Sequence, residues 1–432
     1  MRYDSVHEMI GNTPLLRIDG SVHGIPNLTL YAKLELMNPF GSVKDRIGAS
    51  MLLDNIERIR TEGRTVLETS SGNTAKALAV LCAMHNVPFV TVTNRIKLNE
   101  VRDTLSYLGA SVIELPGLSE CPDPSNPDDP QALAERMVRK EPDTYYYTDQ
   151  YFNPKNVEAH RASGKEILED LGDIDHFFAD LGTCGTSVGI GTYLREHQER
   201  TPNIIGVITA EGGYVPGGRN ENELYETGFF DKTFYDGIAK ASTRDAIEGM
   251  KALAHGSGLL CGPTTGLIFA ALKKWFEQHP LEEPSTAVFI ACDRLEAYLS
   301  YLKQYAPNLS EETRTADAPT IRLENAPDAL LIDTRTNLAF RLGHIPGSVN
   351  IPTHLIEQMI GTGPSFSKDK QIILVCPVGE QAKPHAAALR DQGYDAYVLE
   401  GGITKWREEQ QACEAENHDG VSECDDHKSS AK

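Results

Sequence analysis

No stretch of this 432-residue chain is apolar over the roughly 20 positions a bilayer-spanning helix requires, so no membrane span is expected. The N-terminal segment also lacks a long apolar core and does not read as a secretory signal. Cysteine is sparse. Eight residues, at 82, 121, 184, 261, 292, 376, 413 and 424, form no framework, which argues against a secreted disulfide scaffold and for free thiols in a reducing cytoplasm. Basic residues are in deficit: 41 Lys and Arg stand against 62 Asp and Glu, a net charge of −21, so nucleic acid and anionic membranes are poor partners. Internal repeats are absent. Cys413, His418, Cys424 and His427 match no familiar zinc spacing, and no metal is expected.

What is present is an alternation of short Val/Ile/Phe/Thr-rich stretches with helical ones. Residues 28–36, 65–68, 89–93, 111–115, 176–180, 204–209 and 287–291 read as strands; 75–86, 98–108, 156–171 and 187–198 read as helices. This predicts an α/β body of doubly wound type. Residues 121–130, with four prolines and three acids, read as a surface loop. Periodicity fails over residues 306–325, taken as a linker between a first domain (1–305) and a second (326–412). The second domain repeats the alternation on a smaller scale, with strands at 329–332, 372–375 and 396–399. Residues 413–432 are polar and read as a disordered tail.

Chemistry concentrates at one lysine and three polar turns. Lys44 follows the turn Asn38-Pro39-Phe40-Gly41-Ser42-Val43 and opens a helical run over 45–60. A lysine at such a junction is chemically special when a carbonyl cofactor awaits its amine. Ser70-Ser71-Gly72-Asn73-Thr74 and Gly182-Thr183-Cys184-Gly185-Thr186 each close a strand and open a helix, the position where backbone N–H groups bind anions. Gly262-Pro263-Thr264-Thr265-Gly266 is a further short Gly/Thr motif. An anchor, a ring and carboxylate clamp, and a phosphate cradle together describe a pyridoxal-phosphate site.

With Ile10-Gly11-Asn12-Thr13-Pro14-Leu15, these motifs resemble the fold-type II pyridoxal-phosphate enzymes of the cysteine synthase and cystathionine β-synthase family as far as about residue 305. The resemblance implies two doubly wound α/β subdomains, a homodimer and an amino-acid substrate. It makes Lys44 the Schiff-base lysine and the base at the substrate's α-carbon. Asn73 would bond the ring oxygen, and Ser70, Ser71, Thr74 and Gln150 would hold the substrate carboxylate. Gly182, Thr183, Cys184, Gly185 and Thr186 would bind the phosphate, and Thr264 would face the ring nitrogen. The implied reaction is β-replacement on a serine-type amino acid through an aminoacrylate. Arg219, in Pro216-Gly217-Gly218-Arg219-Asn220, stands where relatives using O-phosphoserine place an arginine. O-Phosphoserine and O-acetylserine both fit as substrates. Leu259-Leu260-Cys261-Gly262 is also similar to cystathionine β-synthase, and synthesis of a non-protein amino acid with another nucleophile is a second alternative. Two departures stand out: Lys76 lies unusually near the site, and Cys184 replaces a glycine.

The second domain resembles a rhodanese. Leu331-Ile332-Asp333-Thr334-Arg335, Gly343-His344-Ile345-Pro346-Gly347-Ser348, Ile373-Leu374-Val375-Cys376 and Gly401-Gly402-Ile403-Thr404-Lys405-Trp406 occur in that domain's order. Cys376 would carry the persulfide, and a sulfur-carrier protein would be a fitting partner. Pro377, Glu380 and Gln381 each weaken thiolate stabilisation, so sulfur transfer and a binding or regulatory role both stay open.

Overall fold

The computed structural model describes residues 2–94, 96–115, 129–211, 213–220, 223, 228–306, 318–364 and 366–418. The chain forms two compact units, Met1–Pro307 and Asn308–Lys432.

The strands of the first unit are β1 Leu15–Ile18, β2 Leu28–Lys33, β3 Thr65–Glu68, β4 Phe89–Asn94, β5 Ser111–Leu115, β6 Tyr145–Tyr147, β7 His176–Asp180, β8 Asn203–Thr209, β9 Gly237–Ala241 and β10 Ser285–Ile290. They make a six-stranded sheet in the order β1-β2-β10-β7-β8-β9 and a four-stranded one in the order β5-β4-β3-β6. Every pairing is parallel except that of β1 with β2. The central strands show why. Phe177, Phe178 and Ala179 in β7 and Ala287, Val288, Phe289 and Ile290 in β10 are all fully buried, because helices cover both faces. Such strands read as apolar runs without alternation, which makes them visible in sequence. β1, β6 and β9 are short edge strands and carry no such signal.

Two expected elements end early. β2 stops at Lys33, and Glu35–Met37 form a 3-10 turn that places the Glu35 carboxylate on Arg46. The run over 45–60 divides into helix Lys44–Leu52, a 3-10 turn Leu53–Asn55 and helix Ile56–Thr61. Met51, Leu52, Ile56 and Ile59 stay buried across the break, so the chain re-aims without giving up apolar burial.

In the second unit β11 Thr320–Ile321, β12 Leu330–Asp333, β13 Val349–Asn350, β14 Ile372–Val375 and β15 Ala396–Leu399 form an all-parallel sheet ordered β11-β15-β14-β12-β13. Alternate residues of β14 enter opposite cores: Ile372 and Leu374 pack with Ile332 and Val398, while Ile373 and Val375 pack with Leu399 and Ile403. Two boundaries move. β11 and the turn Leu323–Asn325 lie in the stretch read as linker, since a two-residue strand has no period to detect. The last helix, Gly402–His418, runs past residue 412 into the stretch read as disordered tail. Cys424 and His427 lie outside the described residues, as do the side chains of Cys413 and His418 and most of the 121–130 loop. Among the described residues no helix is long and apolar enough to cross a membrane, and no group of three or more potential ligands could hold a metal ion.

Candidate functional site

Parallel strands present their carboxyl ends to one side, and ligands of such sheets bind there. In the first unit the turns after β3, β4, β6, β7, β8 and β10 all reach one cleft, which encloses about 980 Å³ including its open mouth.

Lys44 opens on this cleft from the first position of its helix. A buried ionic cluster fixes that helix. Arg46 gives Nε and Nη2 to Glu35 (2.7 and 2.9 Å) and Nη1 and Nη2 to Glu166 (2.8 and 2.7 Å). Lys33 pairs with Glu166 at 2.7 Å, and Asn38 Nδ2 donates to Glu35 Oε2 at 2.8 Å. The opening signature enters the same cluster: Gly11 N donates to Asn38 Oδ1, Asn12 N to Glu166, and Thr13 Oγ1 to Glu35. Gly11, at φ +91°, brings the chain past the Arg46 guanidinium, where a Cβ would lie 2.9 Å from Nη1. The opening signature thus helps bolt the lysine's helix in place, through contacts that no local pattern in the sequence carries.

The turn after β3 contributes Ser70, Ser71, Asn73 and Thr74 to the cleft wall, and Gln150 joins them. Ser70 Oγ accepts from Gly72 N and Ala75 N, capping the helix Asn73–Met84. Gln150 braces the turn: Nε2 donates to Thr69 O at 2.9 Å, and Oε1 accepts from Thr74 Oγ1 at 2.7 Å. Beneath it lies the fully buried Glu68, accepting from Thr148 Oγ1 (2.6 Å) and Thr69 N (2.7 Å), its carboxyl pushed up to about 7 by burial. Asn73 Nδ2 donates to Asp293 Oδ2 at 2.6 Å and to the Tyr298 hydroxyl at 3.2 Å. Burial raises Asp293 to about 6 against the hydrogen bond from Tyr298 and the charge of Lys76. Above that pH it is ionised and holds the Asn73 amide in one orientation. Lys76 itself does not line the cleft. Burial pulls its ammonium down, with Asp45 and Asp293 opposing.

At another side of the cleft Gly182 and Thr183 face Gly217 and Gly218. A Cβ on Gly182 would lie 2.5 Å from Gly217 O, and one on Gly185 would lie 2.0 Å from Asn156 Oδ1, so side chains would close this cradle. The helix Gly185–His197 starts here with its leading amides free of intrahelical partners. Cys184 takes the left-handed angles a glycine would (φ +66°), and burial pushes its thiol up to about 11. It is a buried, protonated side chain that tolerates the turn and lies off the cleft wall. Thr186 Oγ1 lies 3.1 Å from His160 Nε2, and burial keeps that imidazole neutral. Thr264 lines the cleft and its hydroxyl donates to Pro216 O at 2.9 Å. These residues fit the group: an amine, a glycine cradle at a helix start, and a hydroxyl for a ring nitrogen.

Arg219 is elsewhere. It is fully buried and off the cleft wall, with Nε on Gly182 O (2.9 Å) and Nη1 on Glu223 O (3.1 Å), behind the cradle. Its amide bonds Leu181 O, which directs the side chain inward and away from the position expected for a substrate phosphate. Conversely, Asp180, Lys97, Tyr214, Asp293 and Tyr298 lie on the wall unforeseen. Asp293 and Asp180 follow or end apolar strands, the same signal that revealed the other turns. Asp180 is half-buried at the end of β7; desolvation raises its carboxyl and the Lys44 charge offsets part of the rise.

In the second unit Cys376 directly follows β14, is 1% exposed and carries a free thiol. The Gly401-Gly402 turn packs on its loop: a Cβ on Gly402 would lie 2.4 Å from Cys376 O. The Glu380 carboxylate is paired with Lys383 at 2.8 Å.

Comparison with known proteins agrees with this geometry. Residues 6–293 match the family model described as pyridoxal-phosphate dependent enzyme, and residues 320–409 match the rhodanese-like domain. The chain is 32% identical to cysteine synthase B of Pseudomonas aeruginosa over 69% of this chain and 97% of that protein. Among solved structures it is similar to O-acetyl serine sulfhydrylase isoform 3 of Entamoeba histolytica (TM-score 0.61, 28% identity, covering 72% of this chain and 94% of that one). It is also similar to the O-acetylserine dependent cystathionine beta-synthase of Helicobacter pylori (TM-score 0.59, 30% identity, covering 69% and 98%). A lysine, an asparagine turn and a glycine cradle on one cleft, within a matched span of that extent, place the chain in the family of pyridoxal-phosphate-dependent enzymes, with a rhodanese-like domain following the catalytic one.

Proposed function

We propose that the first unit makes cysteine by replacing the β-oxygen substituent of O-phosphoserine or O-acetylserine with sulfur, and that Cys376 of the second unit handles that sulfur. The convergence of Lys44, Asn73, the 182–183 turn and Thr264 on one cleft carries the reading. Pyridoxal phosphate, when bound, supplies an electron sink for the substrate's α-carbon. Lys44 Nζ anchors the cofactor and then takes the proton from Cα. Amides of the 70–74 turn, at the start of the helix Asn73–Met84, hold the substrate carboxylate. The 182–186 turn holds the phosphate. Thr264 offers the ring nitrogen a hydroxyl, which leaves that nitrogen largely unprotonated and favours loss of the β-substituent over transamination. The names of the relatives, cysteine synthase B and O-acetyl serine sulfhydrylase, support this chemistry.

For sulfur handling, the outer sulfur of thiosulfate moves to the Cys376 thiolate and sulfite leaves. The wild-type chain is expected to gain the mass of one sulfur on the Cys376 peptide and to form cysteine from thiosulfate plus a thiol reductant. Cys376→Ser loses both, while sulfide still serves as donor. Unchanged rates with every donor in Cys376→Ser would remove the second unit from the reaction.

A further inference from the structure

The carboxylate turn, the glycine cradle and Lys44 leave one stretch of the cleft wall without a role, where Lys97 and Tyr214 stand. The backbone holds Lys97 there firmly. Ile96 and Leu98 on either side are buried, at 5% and 8% exposure, so the residue between them faces outward. Ile96 N donates to Glu114 Oε1 at 2.6 Å, and Ile96 O accepts from Arg102 at 3.2 Å. The ammonium lies over the Tyr214 ring, 3.8 Å from its centroid. That ring is itself set by Tyr301 and Tyr305, at 6.1 and 5.9 Å between centroids, and by the Tyr214 amide on Thr243 Oγ1.

The charge balance of the wall gives this pair a use. Its cationic side chains are Lys44 and Lys97, and its carboxylates are Asp180 and Asp293. Lys44 is committed to the cofactor, so an anion entering beyond the α-carboxylate meets Lys97 alone as a positive charge. No carboxylate among the described residues pairs with Lys97. A ring face holds an ammonium more weakly than a carboxylate does, so an oxyanion recruits it without breaking an ion pair. Arg219, the other cation near by, is occupied with backbone carbonyls behind the cradle.

We propose that Lys97 on its Tyr214 platform is the oxyanion subsite of this cleft, binding the tetrahedral anion that one reactant carries. The anion is the phosphomonoester on the β-oxygen of serine. This inference rests on the β-replacement reading above.

The test compares Lys97→Met, Lys97→Arg and wild-type holoenzyme with O-phospho-L-serine and O-acetyl-L-serine, each with sulfide or thiosulfate. If the phosphomonoester is the ligand, Lys97→Met lowers the ratio of kcat/KM for O-phospho-L-serine over O-acetyl-L-serine about ten- to a hundredfold. The loss falls mainly in KM, and Lys97→Arg recovers most of it. A loss that follows thiosulfate with either amino acid overturns this assignment. An equal loss with all four pairs, or no loss, overturns the subsite. Wild-type protein supplies a second readout: acetylation of Lys97 by a water-soluble reagent, followed by peptide mass, slows in inorganic phosphate and not in chloride of equal ionic strength. Equal labelling in both salts overturns the subsite even if a variant misfolds. Should no amino acid turn over at all, the β-replacement reading falls while the labelling still decides on Lys97.

Discussion

Lys44→Ala is expected to lower β-replacement roughly a thousandfold or more, because in the proposed function Lys44 is both the cofactor's covalent anchor and the base at the substrate's α-carbon. The chemical evidence is separable from the rate. After borohydride treatment, the wild-type peptide carrying Lys44 gains the cofactor's mass, and Lys44→Ala gains none anywhere. Label on another lysine, or a variant that keeps a tenth of the activity, would contradict the assignment. Fold damage is not the expected cause. Lys44 sits at the first turn of its helix with its side chain on the cleft, and the ionic cluster that fixes this helix works through Arg46.

That cluster carries the second large effect. Arg46→Ala leaves Glu35, which is fully buried, without its cationic partner and Glu166 with only Lys33. Breaking a buried pair from one side costs about 3–5 kcal/mol, so unfolding of the first unit in denaturant is expected to shift by that amount. A shift below about 1 kcal/mol would show the cluster to be dispensable. The acid limb of stability follows from Glu166. Burial pushes its carboxyl up, but the hydrogen bonds and charge of Arg46, then of Lys33, hold it down from 4.5 to about 2. A depressed carboxyl contributes stability that is present above about pH 4.5 and lost as pH falls through 2, here about 3 kcal/mol. Arg46→Ala should flatten that limb.

Much of this site can be read from sequence because each turn follows a strand whose residues are buried on both faces. Val66 and Leu67 precede the 70–74 turn, Phe177 and Phe178 the 182–186 turn, and Ile372, Ile373, Leu374 and Val375 of β14 precede Cys376. Apolar run, small polar residues and helical period then occur within about ten positions, a local pattern. What escaped was assembled over distance. Glu35, Arg46 and Glu166 meet across more than a hundred residues, and no local period links them. Lys97 and Tyr214 are single residues of common types whose meaning comes only from facing the same cleft. Arg219 was misplaced for a related reason. Its sequence neighbours, Gly217 and Gly218, suggest an exposed loop, yet the β-bridge of Thr209 with Asn220 turns the arginine inward. Cys184 shows the limit of a residue preference: the turn needs left-handed angles, and a small side chain adopts them where glycine is expected.

The central claim is that this cleft activates an O-substituted serine for attack by sulfur. Its most direct test is the visible spectrum of the bound cofactor, followed as O-phospho-L-serine or O-acetyl-L-serine is added without any sulfur donor, and then as sulfide is added. The account predicts that at least one of the two shifts the spectrum, and that sulfide restores it with one L-cysteine released per site. A spectrum that neither compound alters, in protein that carries the cofactor on Lys44, would contradict it.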